Sequence, residues 1–180
     1  MTRAQLEHII RAAGAIADTQ DVVVVGSQAI LGQFPDAPQE LLVSNEADVF
    51  PRADPARSDL IDGSIGEGSP FEREFGYYAH GVDETTAILP EGWRDRLVLV
   101  TGPNTRMVRG WCLEVHDLAI AKYAAGREKD LDFTRALVRH AMVSHEVLLG
   151  RLEATSVDLR LRAAMAGRIE RDFTGLSRSL

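Results

Sequence analysis

The pattern of hydrophobic and polar positions divides the chain into a mixed first part and a second part with helices alone. Apolar residues at helical spacing predict an amphipathic helix over residues 4–18, and four consecutive valines at 22–25 predict a short buried strand. Further strands are predicted at residues 47–50, 73–82, 96–101 and 110–115, with a short helix at 54–62 and a glycine-rich loop at 62–70. The later helices are predicted near residues 116–125, 129–141, 145–153 and 157–172.

This order of elements predicts an α/β (α+β) fold, in which a mixed sheet with flanking helices is followed by a C-terminal helical lobe. We expect the core lobe at residues 1–115 and the helical lobe at residues 116–180. A length of 180 residues fits one domain with such a helical appendage. The content of 45% hydrophobic and 26% charged residues excludes wholesale disorder.

The composition also indicates where the protein works. Cys112 is the single cysteine, which excludes an intramolecular disulfide and a multi-cysteine zinc site and fits a reducing compartment. No apolar run approaches the roughly 18 residues that span a bilayer. The first residues carry scattered charges and lack the apolar segment of a signal peptide. We therefore expect a soluble, cytoplasmic protein with no membrane partner.

Charge is distributed unevenly along the chain. The net charge of −7 argues against a general nucleic-acid-binding protein. Residues 1–100 carry 7 basic and 17 acidic side chains, whereas residues 101–180 carry 13 and 10. This division suits a protein that handles a metal in one part and phosphate in the other, although drift in composition explains it equally well. Among the 20 basic residues only Lys122 and Lys129 are lysines, and an ammonium differs from a guanidinium at a phosphate.

Two short segments carry candidate chemistry. Gly26 and Ser27 end the valine strand, where a glycine allows close backbone approach and the start of the following helix favours an anion. Glu46 and Asp48 stand two positions apart on the next predicted strand, so their side chains point to the same face. Adjacent carboxylates are costly unless a cation lies between them, and oxygen ligands of this kind select Mg²⁺ or Mn²⁺.

These residues, in the segments VVVVGSQAILG and SNEADVF, resemble the core signature of the polymerase-β-like nucleotidyltransferase superfamily. That signature is an apolar strand ending in Gly-Gly or Gly-Ser, a helix, and a strand with two acids separated by one residue. Ser44 matches a Thr or Ser that often lies two residues before the first acid. Two positions depart from the pattern: Leu42 stands where an Arg is often found, and Glu46 stands where Asp is commoner.

A later segment, HDLAIAKYAAGREKDLDF, is similar to the helical lobe of bacterial nucleotidyltransferases of the abortive-infection and toxin type. Lys122 and Asp130 match the positions at which a lysine of that family contacts nucleotide phosphates and an aspartate lies near the lysine. The resemblance extends over about residues 20–140.

The resemblance implies a Mg²⁺-dependent (or Mn²⁺-dependent) nucleotidyltransferase that moves an NMP from an NTP to an acceptor hydroxyl. The implied site residues are Glu46 and Asp48 for metal binding and catalysis, Lys122 and Asp130 for catalysis, and Gly26, Ser27 and Ser44 for nucleotide binding. A third metal carboxylate is usual in the superfamily, and Asp83 is the candidate for it. The acceptor stays open between a tRNA end, which fits a toxin with an antitoxin partner, a small metabolite or antibiotic, and a protein hydroxyl.

Structural explanations stand beside each assignment. The turn at residues 26–27 is also what an ordinary strand-to-helix connection with a Ser cap needs, and Glu46 and Asp48 also suit the solvent face of an edge strand. Lys122 is equally acceptable as a surface lysine and Asp130 as an N-cap. The alternative function is a non-catalytic nucleotide-binding or interaction protein on a degenerate nucleotidyltransferase scaffold, which the missing Arg and the unlocated third acid favour.

The remaining conspicuous side chains are given structural roles. Trp111 and the pair Tyr77-Tyr78 are expected in the core. The arginines of the last helix, Arg160, Arg162, Arg168 and Arg171, are expected on a solvated face.

Overall fold

The computed structural model describes residues 1–176, and their contacts form two compact units. The first unit comprises Met1–Thr86 and Leu97–Glu114. The second comprises Ala87–Arg96 together with the chain from Val115 onward. Within residues 1–176, no helix has both the length and the apolar character needed to cross a bilayer.

The first unit contains a five-stranded mixed sheet. Its strands are β1 (Asp21–Val25), β2 (Glu46–Pro51), β3 (Tyr78–Gly81), β4 (Val98–Val100) and β5 (Arg109–Cys112). They lie in the order β3-β2-β1-β5-β4. The pairs β1–β2 and β4–β5 are antiparallel, and the pairs β1–β5 and β2–β3 are parallel. This sheet with its flanking helices is the α/β fold that the sequence predicts.

Helices flank the sheet of the first unit. They are α1 (Arg3–Ile16), α2 (Ile30–Gln33), α3 (Ser58–Ile65) and α4 (Pro70–Phe75). Helix α1 begins at a capping box formed by Thr2 and Gln5, and it packs on the sheet through a buried apolar stripe. That stripe consists of Leu6, Ile9, Ile10, Ala13 and Gly14. Each fully buried Leu or Ile contributes about 1.5–3 kcal/mol, so this interface holds the unit together.

The second unit is helical. Its helices are α5 (Val115–Ala125), α6 (Glu128–Arg139), α7 (His145–Glu153) and α8 (Leu159–Leu176). Helix α5 is in contact with α6, α7 and α8 and is buried around most of its circumference. The Asp117 carboxylate on α5 is fully buried, 2.9 Å from Arg96 Nε and 3.1 Å from Arg151 Nε. These two ion pairs attach both the 87–96 segment and α7 to the central helix.

The prediction of one strand over residues 73–82 is wrong in its first part. Residues 70–75 form α4, because Ser69 caps the helix by accepting from Glu72 N, and Pro70 occupies the first turn. Gly76, in the left-handed conformation with φ of +73°, ends the helix. The expected loop at 62–70 is likewise shorter, since α3 extends to Ile65.

Two expectations for large side chains also need correction. Arg162 donates to the carbonyls of Leu152 and Thr155, both at 2.7 Å, and Arg168 donates to the carbonyl of Tyr123. These two arginines therefore hold helices together instead of facing solvent. Tyr77 is buried as expected. Trp111 is only half-buried, with its Nε1 donating to Asp21.

Candidate functional site

Two carboxylates lie side by side on the open face of β2. The strand alternates, with Ala47 and Val49 buried while the side chains of Glu46 and Asp48 are 36% and 25% exposed. The period of two residues thus directs both acids to the same face, as the sequence predicts. Partial exposure leaves their oxygens accessible.

The neighbouring strand β3 adds an imidazole and a phenol to these acids. Parallel pairing sets Tyr78 opposite Glu46 and His80 opposite Asp48. His80 Nδ1 lies 3.3 Å from Glu46 Oε1 and 3.3 Å from Asp48 Oδ1. The Tyr78 hydroxyl donates to Glu46 Oε2 at 2.9 Å. The imidazole nitrogen therefore lies between the two carboxylates and within reach of both.

These contacts perturb the titration of the site. Burial alone would raise the pKa of Glu46, but hydrogen bonds with Asp48 and Tyr78 and the charge of His80 hold it below its usual value. Burial raises the pKa of Tyr78, and the hydrogen bond to the Glu46 carboxylate raises it further. At neutral pH Glu46 is thus an anion, and Tyr78 remains a protonated donor that orients it.

The end of β1 approaches the same carboxylates. Val25 pairs with Asp48, and Gly26 follows at φ of +70° and ψ of −173°, a conformation essentially restricted to glycine. A Cβ at Gly26 would lie 1.9 Å from Asp48 Oδ2. Gly26 therefore lets the backbone turn directly against the carboxylate.

The residues after this turn form a short helical segment. Ser27 begins a 3-10 turn that continues into α2, and Ala29 N donates to the Gly26 carbonyl at 3.2 Å. Gln28 is fully buried, and its amide oxygen and nitrogen have no hydrogen-bond partner within residues 1–176. Such buried amides are rare in folded proteins because each unsatisfied group costs about 1–3 kcal/mol.

Ser44 fixes the start of β2. Its hydroxyl accepts from Glu46 N at 3.1 Å and donates to the Glu46 carbonyl at 3.2 Å. The contact is with the backbone of the first acid, so Ser44 orients the strand that presents the carboxylates.

The donor set beside Gly26 fits a divalent cation. Glu46, Asp48 and His80 each offer one ligand atom, and these atoms lie within 4.8 Å of one another. Two carboxylates are the hard ligands that Mg²⁺ and Mn²⁺ prefer, and an imidazole is also a common ligand of transition metals. Asp83 does not belong to this group, since its exposed carboxylate accepts from the backbone and hydroxyl of Thr85.

In the helical unit, Lys122 and Asp130 form a buried ion pair. Lys122 Nζ lies 3.0 Å from Asp130 Oδ1, and Arg127 Nε donates to Asp130 Oδ2 at 2.6 Å. Lys122 Nζ also lies 5.6 Å from the ring centroid of Phe133. Burial would raise the pKa of Asp130, but Arg127 and Lys122 outweigh burial and hold the pKa below its usual value. One carboxylate is thus shared by two cations.

Comparison with known families decides the general assignment. A family model described as "Nucleotidyltransferase of unknown function (DUF6036)" matches residues 4–165. The chain belongs to this family. No curated protein and no solved structure matches the chain. The match includes both the carboxylates of β2 and the Lys122–Asp130 pair, and the name supports a nucleotidyltransferase family for the chain, as expected from its motifs.

Each unit of this DUF6036 protein contains its own group of candidate residues. In the first unit the structure brings together Gly26, Ser44, Glu46 and Asp48, and in the second it pairs Lys122 with Asp130. The sequence analysis missed His80 and assigned Tyr78 to the core. The sequence shows that Tyr78 and His80 stand two positions apart on a predicted strand and therefore share a face. It does not show that this strand pairs with β2.

Proposed function

We propose that this protein is a Mg²⁺- or Mn²⁺-dependent nucleotidyltransferase that moves an NMP from an NTP to an acceptor hydroxyl and releases pyrophosphate. The observation that carries the proposal is the convergence of Glu46, Asp48 and His80 beside the glycine turn at the end of β1. Membership of a nucleotidyltransferase family supports an NTP as substrate. Glu46 and Asp48 would hold the divalent cation, which would supply Lewis-acid stabilisation of the triphosphate and lower the pKa of the acceptor hydroxyl.

The residues of the first unit have separate roles in this proposal. Glu46 and Asp48 bind the metal, and Tyr78 holds Glu46 in place through the hydrogen bond at 2.9 Å. Gly26 and Ser27 offer backbone to the terminal phosphates where the turn leaves no side chain in the way. Ser44 secures the strand on which the acids stand.

The helical unit contributes a cation for phosphate. Lys122 is a compact point charge whose side chain is only 11% exposed, so its charge is weakly screened by water. Asp130 keeps the ammonium oriented in the absence of nucleotide, and Arg127 keeps Asp130 ionised. We assign Lys122 to the neutralisation of charge that develops on the triphosphate.

The acceptor that we propose is a tRNA end, with the protein acting as the toxin of a bacterial toxin–antitoxin pair. This choice rests on the similarity of the 116–133 segment to toxin-type nucleotidyltransferases. The test incubates the protein with each α-labelled NTP, Mg²⁺ and total tRNA, and follows label into RNA and into the protein. We expect label in RNA that disappears when EDTA removes the metal.

Matched variants make this test specific. Asp48→Asn and Lys122→Ala should each reduce transfer about a hundredfold or more, the usual effect of losing an electrostatic contact to a transition state. Asp59→Asn on α3 and Lys129→Ala on α6 are the controls, since both are exposed residues, and they should transfer at the wild-type rate. Equal activity of Asp48→Asn and wild type would contradict the proposed metal site.

Binding distinguishes a catalytic from a non-catalytic protein. Mg²⁺-NTP at a hundredfold excess over its Kd should stabilise the wild type by about 2.7 kcal/mol in thermal melts. Stabilisation without transfer to tRNA, small molecules or protein would favour the alternative function, a nucleotide-binding protein on a degenerate scaffold. An equal gain for Asp48→Asn would locate the nucleotide elsewhere.

A further inference from the structure

A cavity of about 420 Å³ lies in the first unit, between α1 and the segment where α4 leads into β3. Its volume is within the range of pockets that hold small molecules. It is separate from the carboxylate site, because none of its lining residues belongs to the group of Glu46, Asp48 and His80. Tyr78 contacts Glu46, whereas Tyr77 lines the cavity and contacts His8 of α1.

One wall of the cavity is aromatic. The ring of His8 lies 4.8 Å from that of Phe75 in an edge-to-face arrangement, and Phe71 lies 4.8 Å from Phe75 behind it. Tyr77 closes the wall, with its hydroxyl 2.7 Å from His8 Nδ1. Phe75 nevertheless remains 46% exposed, so a flat apolar surface faces solvent at the mouth of the cavity.

The other wall carries one positive charge. Arg11 lines the cavity, and its Nη1 donates to the carbonyl of Asn104 at 3.0 Å. Among the described residues that line the cavity there is no carboxylate. Burial and the neighbouring Arg11 lower the pKa of His8, so the imidazole is neutral at pH 7. Among the lining residues within 1–176, Arg11 is therefore the one that offers a full charge to a ligand.

We propose that this cavity binds a small planar aromatic anion, with the ring against Phe75 and His8 and a carboxylate or phosphate at Arg11. The exposed ring of Phe75 offers a stacking surface, and a guanidinium recognises either anion through charge-assisted hydrogen bonds. Free aromatic acids and mononucleotides both have this chemistry. The proposal does not depend on the proposed transfer reaction, because the residues that line the cavity are distinct from Glu46, Asp48 and His80.

Isothermal titration with matched probes tests the proposal. Indole-3-acetate and AMP represent the two sources of anion, indole represents the ring alone, and acetate and inorganic phosphate represent the anion alone. We expect one of the two aromatic anions to bind at least about tenfold more tightly than any probe that lacks the ring or the charge. Binding of indole as tight as that of the anions, or no binding of any probe at about 1 mM, would overturn the proposal.

Variants locate the bound probe. Arg11→Gln and Phe75→Ala should each weaken binding about tenfold, and both residues are sufficiently exposed for the variants to fold, which circular dichroism would verify. Arg57→Gln and Leu60→Ala, exposed to similar extents on another part of the unit, are the matched controls and should bind as wild type does. AMP binding that is lost in Asp48→Asn but retained in Arg11→Gln would place the probe at the carboxylate site and refute the proposal.

Discussion

Replacing Gly26 by alanine probes the closest contact of the candidate site. The substitution adds a single methyl group at a residue with φ of +70° and ψ of −173°. The new Cβ would lie 1.9 Å from Asp48 Oδ2 and 2.9 Å from Asp48 Cγ. Two penalties are therefore expected: the backbone conformation disfavours any L side chain, and the carboxylate or the turn must move to restore van der Waals distance.

The two penalties have separable magnitudes. The backbone conformation costs about 1–3 kcal/mol for a residue other than glycine. Relief of the overlap displaces Asp48 from its place beside His80, and overpacking of this kind costs about 1–3 kcal/mol more. We expect Gly26→Ala to lower the free energy of unfolding by about 2–5 kcal/mol in total. Gly76→Ala is the control for a positive φ without a clash, because Gly76 lies at φ of +73° and ψ of 14° and its Cβ would meet no atom within 4 Å.

Urea denaturation of four proteins measures how much of the lost stability comes from the steric overlap with Asp48. The set is the wild type, Gly26→Ala, Asp48→Ala and the double variant, whose cycle isolates the interaction between the two positions. Since Asp48→Ala removes the clashing oxygen, Gly26→Ala should cost at least about 1 kcal/mol less in that background. The reasoning fails if Gly26→Ala costs no more than Gly76→Ala and the cycle shows no coupling.

Three further predictions concern buried polar groups. The pKa of Asp130 is lower in the folded state than in the unfolded state, so its ionised carboxylate stabilises the fold above the unfolded pKa of about 3.9, and this stabilisation is lost as the pH falls through the lower folded pKa. In urea unfolding, acid should therefore lower the free energy of unfolding less for Asp130→Asn than for the wild type. Equal losses in the two proteins would contradict this prediction. Asp117→Asn leaves Arg96 and Arg151 without their carboxylate and should lower the free energy of unfolding by about 3–5 kcal/mol. The control Asp132→Asn, which breaks an exposed pair with Arg135, should lower it by about 0.5 kcal/mol or less. Gln28→Met should raise the free energy of unfolding by about 1–3 kcal/mol because it removes an unsatisfied amide, whereas a loss of stability would show that the amide binds an internal water.

Features that depend on local periodicity were predictable from the sequence. The bounds of α7 agree with the expected 145–153, and the other late helices lie within a few residues of their predicted positions. The common face of Glu46 and Asp48 follows from the two-residue period of a strand and needs no knowledge of neighbouring strands. The ion pair of Lys122 with Asp130 was expected from motif similarity, and the structure contains it.

Features that depend on contacts between distant segments were not predictable. His80 joins the carboxylates only because β3 pairs in parallel with β2, which requires α3 and α4 to carry the chain back to the same end of the sheet. The sequence alone gives no register for that pairing, so Asp83 was as reasonable a third ligand as His80. Helix α4 was also missed, although Ser69 and Pro70 form a recognisable helix start.

The local ratio of cations to carboxyl groups differs between the β2–β3 cluster of the first unit and the Lys122–Asp130 pair of the second unit. On β2 and β3, two carboxyl groups face one imidazole, so acidic groups outnumber basic groups in this cluster. In the helical unit, one carboxylate pairs with both Lys122 and Arg127. A cluster of carboxyl groups suits a cation, and a lysine beside a shared carboxylate suits an anion, because a charge that is partly removed from water is costly unless it is paired. The uneven distribution of charge along the sequence therefore has a structural counterpart in the β2–β3 carboxyl groups and the Lys122–Asp130 pair, which is the arrangement that the proposed function requires.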